Sequence, residues 1–343
     1  MDPNFTAQHG AELWNETRAF SYWSPEAEAG VFLHAGRLRA HLDLWWCQLG
    51  VFLPDGSVAV DRQWCRNDDR RGVVNGNLRW LSDDPRRSFE CGFDGVCELT
   101  STEALASGVR GAGAPSVPVR WQFHASEASP TWDCFGGQGD NRFAGTSHTQ
   151  QTYTAMGSLT LGDEELTFDG SVCIDHSCGV RDFRALGSHD WLIARVGGRG
   201  IHSIVVRANN GSGETQQFGR ISGGENADIV GITLPPLTDL LMRERAVGVG
   251  ITLDTGRTVE ARLELLGNLP ITINDANDNL NGFDWEDVSD PLLFAECPVR
   301  VITADGEVGY GHLERSARTR IVDRTTFAVR LEELAAACAT SQC

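Results

Sequence analysis

Asp175, His176, Arg181, Asp182, His189 and Asp190 fall within sixteen residues of an otherwise apolar-patterned stretch. Carboxyl groups and imidazoles are the side chains that move protons near neutral pH. A carboxyl set against apolar surface has its pKa raised, because desolvation disfavours the charged form. Such a group can act as a proton donor at neutral pH. Asp175 is the candidate acid. His176 or His189 would position a water or bind a substrate oxygen. A strand repeats every two residues, so His189, Trp191 and Ile193 share one face and Trp191 would line the pocket. Asp175 and Asp182 flank Gly179, an expected bend. The competing role for this segment is structural, a polar corner in which Asp182 and Arg181 brace a bulge.

Other motifs are weaker. Asn277-Asp278-Asn279-Leu280-Asn281-Gly282, with Asp284 and Glu286, has the alternating oxygens and sixth-position Gly of a calcium loop. Its twelfth position is Val288 rather than Glu, so no calcium is expected there. Gly108-x-x-Gly111-x-Gly113 follows no strand and opens no helix, which argues against a dinucleotide site. No Gly-x-Ser-x-Gly elbow is present. The ten cysteines contain no Cys-x-x-Cys pair and no zinc-knuckle spacing, so buried thiols are expected and no metal.

The net charge of −18 argues against nucleic acid and against anionic membrane surfaces. The first ten residues are polar and lack a signal pattern, and no apolar run reaches spanning length. A cytoplasmic protein without membrane insertion is expected. A homodimer is the one assembly anticipated. Ten Trp and fifteen Phe against three Tyr give many apolar aromatic faces. Most belong in cores, while Trp45, Trp46, Trp132 and Trp191 could also line a pocket and steady a cation.

The elements that must hold these residues are strands. Val31 to Leu33, Leu42 to Phe52, Val58 to Val60, Val117 to Phe123, Ser158 to Leu161, Leu166 to Phe168, Trp191 to Val196 and Ile201 to Val206 read as strands. Pro54-Asp55-Gly56 between apolar runs is a hairpin turn. Asp254-Thr255-Gly256 joins Ala246–Leu253 to Thr258–Leu265 in another hairpin. Phe93 to Val96 reads as a turn, and Ser107 to Val117 as a loop. Helix is expected only at Pro235 to Glu244 and Thr326 to Ala337. Short strands punctuated by Gly imply a mainly all-β chain, built as sandwiches or barrels. At 343 residues two domains are expected, 1–169 and 170–343.

Gly170 to Asp182 resembles the central motif of the carotenoid 1,2-hydratase and kievitone hydratase-like superfamily, through Asp175-His176-Ser177, Gly179 and Arg181-Asp182. The closer likeness is to its uncharacterised bacterial branch. Trp14 to Thr17 with Gly30 to Leu33 and Gly36-Arg37 resemble the opening strands. Gln150-Gln151 resembles the approach to the motif, and Gly309 to Glu314 the closing strand. The resemblance spans nearly the whole chain. It implies two lipocalin-like β domains with a hydrophobic cleft, an apolar isoprenoid (terpenoid) or steroid-like substrate, and addition or removal of water without a cofactor. The candidate substrate-binding residues are Trp46, Cys178, Arg181, Trp191 and Glu314, beside the candidate catalytic Asp175, His176, His189 and Asp182. Three positions depart: Ile174 stands where the family has Arg, Cys178 where it has Trp, and Gln150 where it has Glu. The first removes a charge partner from Asp175, and the second removes a cation-stabilising face. A carrier of the same ligands, or an isomerase or cyclase, are the other functions this fold implies.

Overall fold

The computed structural model describes residues 13–38, 41–67, 71–74, 76–108, 114–135, 145–224, 226–274 and 279–336. The chain divides into two compact units, Met1–Ser101 with Arg110–Arg181, and Thr102–Val109 with Asp182–Cys343. The strand Gly170–Val180 hydrogen-bonds into the first sheet, so the units divide after Arg181 rather than at 169/170.

The first unit is a meander of eight long strands: β1 (Trp14–Ser24), β2 (Ala29–Leu38), β3 (Leu44–Phe52), β4 (Val58–Arg66), β5 (Ser88–Thr100), β6 (Ser116–Glu127), β7 (Ser147–Leu161) and β8 (Gly170–Val180). Each pairs antiparallel with the next. β8 then returns to β1, with Trp14 opposite Val180 and Trp23 opposite Ser171, and the ring closes. Closure gives each of these strands a partner on both sides over at least part of its length.

Alternation drives the ring. On β6, Val119, Trp121, Phe123 and Ala125 are buried, while Arg120, Gln122 and His124 are exposed. Phe20 stands edge-on to Trp80 and Phe123, with centroids 5.1 and 5.6 Å away. Bulky rings fill an eight-stranded interior to its axis. The void lined by Leu33, Cys47, Leu49, Leu78 and Phe93 measures about 10 Å³, room for one water at most.

The second unit repeats the design with β9 (Leu186–Val196), β10 (Arg199–Ala208), β11 (Thr215–Ser222), β12 (Ala227–Thr233), β13 (Ala246–Leu253), β14 (Thr258–Leu265), β15 (Leu292–Thr303) and β16 (Val308–Arg318). Neighbours in sequence again pair in order. β16 closes on β9. The all-β, lipocalin-like fold expected from the sequence is therefore present, as two closed meanders.

Three local expectations fail for identifiable reasons. Phe93 to Val96 is no turn: Asp94 and Gly95 continue β5, paired with Arg120 and Val119. Pro235 to Glu244 forms no helix, because Asp239 accepts the Leu241 and Arg243 amides in a turn and Met242 takes φ +48°. In Thr326 to Ala337, only Glu333–Ala336 is helical among the described residues. There the Asp323 carboxylate caps the Thr325 and Thr326 amides, and Phe327 sits at φ +58°. A helix the composition did not signal, Thr102–Ser107, belongs to the second unit, where Thr102 Oγ1 donates to the Asn268 carbonyl at 2.6 Å. Asn277, Asp278, Gly111, Gly113, Cys338 and Cys343 lie outside the described residues. Asn279–Asn281 pairs with Leu269–Ile273 as a strand. The eight described cysteines are thiols. Among the described residues, no helix is long and apolar enough to cross a membrane.

Candidate functional site

The chemistry gathers at the two closing seams, where last strand meets first. On β8, Val172 belongs to the first core, so His176 and Cys178 point inward and Asp175 and Ser177 outward. Asp175 and His176, neighbours in sequence, therefore serve opposite faces.

On the inner face, His176 Nε2 lies 3.0 Å from Glu16 Oε1. Arg37 Nε donates to Glu16 Oε2 at 2.8 Å, and Arg18 Nη2 donates to Oε1 at 3.2 Å. Burial pushes the Glu16 carboxyl up, but the His176 hydrogen bond and the two arginine charges outweigh it and hold it at about 2. The Arg37 guanidinium stacks 4.9 Å above the Trp45 ring. Cys178, opposite Glu16, has its thiol pushed up to about 12, mainly by burial.

On the outer face, β7 lies beside β8 and contributes His148 and Gln150. Ser177 Oγ is 2.7 Å from His148 Nδ1 and 3.5 Å from Asp175 Oδ2. Asp175 Oδ2 is 3.6 Å from the same Nδ1. Gln150 Nε2 reaches His148 Nε2 at 2.8 Å. With an amide nitrogen donating to Nε2, the imidazole carries its proton on Nδ1. A directed chain results: Gln150 to His148, His148 to Ser177, and the Ser177 hydroxyl to Asp175. Serine and aspartate meet the same ring nitrogen, so this is not the relay of a serine hydrolase.

Trp46 is buried on the outward face of β3, 5.0 Å from the His34 ring. Arg181 follows β8 and donates to Asn15 Oδ1 at 3.1 Å and Thr17 Oγ1 at 2.6 Å. Asp182 pairs with Arg184 rather than Arg181 and caps the short turn of helix at Phe183–Ala185. Gly179 holds φ +132° where a Cβ would meet the Thr146 nitrogen at 2.4 Å.

At the second seam, Leu192 and Leu313 point into the core. His189, Trp191, His312, Glu314 and Ser316 therefore share the outward face, as period two requires. His189 Nε2 bonds Glu314 Oε1, and its Nδ1 lies 2.7 Å from Ser316 Oγ. His312 Nε2 lies 2.7 Å from Glu296 Oε2 on β15, and its ring is 5.4 Å from that of Trp191. Burial pushes Glu314 up, but His189 outweighs it and keeps the carboxyl below the ordinary range. Burial pushes His312 down to about 4, so it is a neutral imidazole. Inside this barrel, Asp190 is held by Arg315 and by Arg207, the latter at 2.8 Å.

A family model described as "Domain of unknown function (DUF7064)" matches residues 2–319. The chain belongs to that family. No curated protein matches it in sequence. Solved structures do match the DUF7064 chain. One is a protein assigned as AttH from Nitrosomonas europaea, at 14% identity and TM-score 0.54, covering 91% of this chain and 96% of that one. CghA with Sch210972 gives 9% and 0.55, covering 91% and 92%. Kievitone hydratase from Nectria haematococca gives 11% and 0.51, covering 92% and 90%. The fold shared with these structures is the one the Gly170 to Asp182 motif implied.

Of the residues named from the DUF7064 sequence, Asp175 and Trp46 lie on the outer face of the first barrel, and His176 and Cys178 inside it. His189, Trp191 and Glu314 come together on the second. Sequence reasoning missed His148, Glu296, His312, Ser316, Glu16, Arg18 and Arg37 as site residues. The only local signal was alternation, since His148 and Gln150 are two apart, as are His312 and Glu314.

Proposed function

We propose that the chain is a hydratase or dehydratase that works by acid catalysis on an apolar, isoprenoid or steroid-like substrate. The observation that carries this reading is the directed chain Gln150–His148–Ser177–Asp175. In hydration, the Asp175 carboxyl proton passes to one alkene carbon, leaving a cation on the other. A water oxygen bonds that carbon and releases its proton, which returns a proton to Asp175. Between the two events the carboxylate accepts the Ser177 hydroxyl hydrogen bond, backed by His148. That stabilises the charge where it develops. The shared fold supports the reading, because kievitone hydratase has it too.

The test is a mass-spectrometric screen of terpenoid and steroid alkenes and alcohols for gain or loss of water. Asp175→Asn preserves volume and polarity, so binding should persist while turnover falls by about 10²–10⁴-fold. A ligand that binds the wild-type protein tightly yet returns unchanged would leave the carrier reading. Rearrangement without change of mass would leave the isomerase or cyclase.

A further inference from the structure

We propose that Glu296, His312 and Glu314, on the outward face of β15 and β16, form a binding site for a first-row divalent metal ion, zinc above all. The site goes beyond the proposed acid step, which runs through residues of the other unit. Each of the three side chains brings a ligand atom within 4.8 Å of the other two. Glu296 and His312 are buried to 1% and 0% residual exposure, so the donors are fixed by the sheet. They come from two paired strands: Glu296 stands directly opposite Glu314, and His312 lies two residues from Glu314 on the same face.

The donor set selects the ion. An imidazole nitrogen with two carboxylates suits zinc and its first-row neighbours, whereas calcium and magnesium take oxygen alone. Three protein ligands leave the fourth position of a tetrahedral ion to a water, the arrangement of catalytic rather than structural zinc. Two carboxylates and a divalent ion also sum to no net charge, which a buried site favours.

A second shell is in place. His189 Nε2 bonds Glu314 Oε1, and Ser316 Oγ meets the other nitrogen of His189 at 2.7 Å. A carboxylate ligand oriented by an anchored imidazole is the usual outer shell of a metal centre. His189 is thus a positioning residue. The hydrogen bond now joining His312 Nε2 to Glu296 Oε2 at 2.7 Å occupies the nitrogen a metal would take. An ion must displace that hydrogen bond to bind. The spacing rules applied to the cysteines could not find this site, because its donors are contributed by separate strands.

The test uses the full chain, freed of metal with a chelator and titrated with Zn²⁺ by calorimetry and with Co²⁺ by visible absorption. The expected result is one ion per chain, a raised Tm, and a cobalt spectrum without thiolate charge transfer. Glu296→Gln should abolish saturation at micromolar metal, and His189→Gln should weaken it by about 10–100-fold. Tm and circular dichroism in chelator show whether each variant is folded, and the wild-type titration decides the matter even where one is not. Wild-type protein that takes up no stoichiometric ion, or a folded Glu296→Gln that binds equally well, overturns the site. A thiolate cobalt spectrum also overturns it, by moving the ion to a cysteine.

Discussion

The two barrels place charge on their closing seams by the same rule inside and by different rules outside. Inside, each first strand carries one acid, Glu16 or Asp190. Arginines hold each one, Arg18 and Arg37 in the first barrel, Arg207 and Arg315 in the second. Both acids are kept ionised below the ordinary carboxylate range, against burial. Outside, the first seam reaches Asp175 through a hydroxyl and an imidazole at 3.5 and 3.6 Å. The second binds Glu314 directly to His189 and adds Glu296 and His312. An ion pair locked inside a barrel braces the seam. A carboxyl reached through a relay can give up and regain a proton, and carboxylates gathered around an imidazole can hold a cation.

If the inner acids are braces, removing either should produce the largest effect on stability. Glu16→Ala leaves two half-buried arginines uncompensated, and Asp190→Ala a buried and a half-buried one, which costs up to about 3–5 kcal/mol. Urea unfolding should show similar losses for both. A loss under about 1 kcal/mol at one seam would break the equivalence.

Acid should weaken the first seam next. The Glu16 carboxyl titrates at about 2 in the folded chain against an ordinary value of 4.5. A depressed folded value contributes stability that is present above the unfolded value and lost as pH falls through the folded one. The expected loss is about 3 kcal/mol between roughly pH 5 and pH 2. In the second unit, His202 on β10, pushed down to about 3 by burial, adds a loss with the same sign that begins near its ordinary value of 6.5. Urea titrations at stepped pH should show the decline, and Glu16→Gln should flatten its lower part. An unchanged slope would mean Glu16 is not the group responsible.

The smallest effect should come from two matching hairpins. Gly56 and Gly256 take φ of +84° and +81° with open space around the missing Cβ. Each alanine should therefore cost only its backbone strain, about 1 kcal/mol. Thermal unfolding with calorimetry should find the two alike. A larger loss at one turn would show a contact beyond the turn itself.

Much of this molecule could be read along the chain. Apolar runs between turn residues marked many of the strands, Asp-x-Gly marked the hairpin at Gly256, and period two placed His189 with Trp191. These are local properties, set by the backbone geometry of neighbouring residues. A turn signal, Asp94-Gly95, misled, because pairing with β6 carries the strand through it. Helical composition near the end gave way to side-chain caps on the backbone at Asp323.

What only the tertiary structure decided is which strand lies beside which. Trp14 and Val180 are opposite one another because a ring of eight strands must close. That closure set His176 beside Glu16, while the register of sequential neighbours brought His148 to Ser177 and Glu296 beside Glu314. Residue types and faces follow from local geometry. Partners across a seam follow from strand count and register, which the core packing of the whole barrel selects.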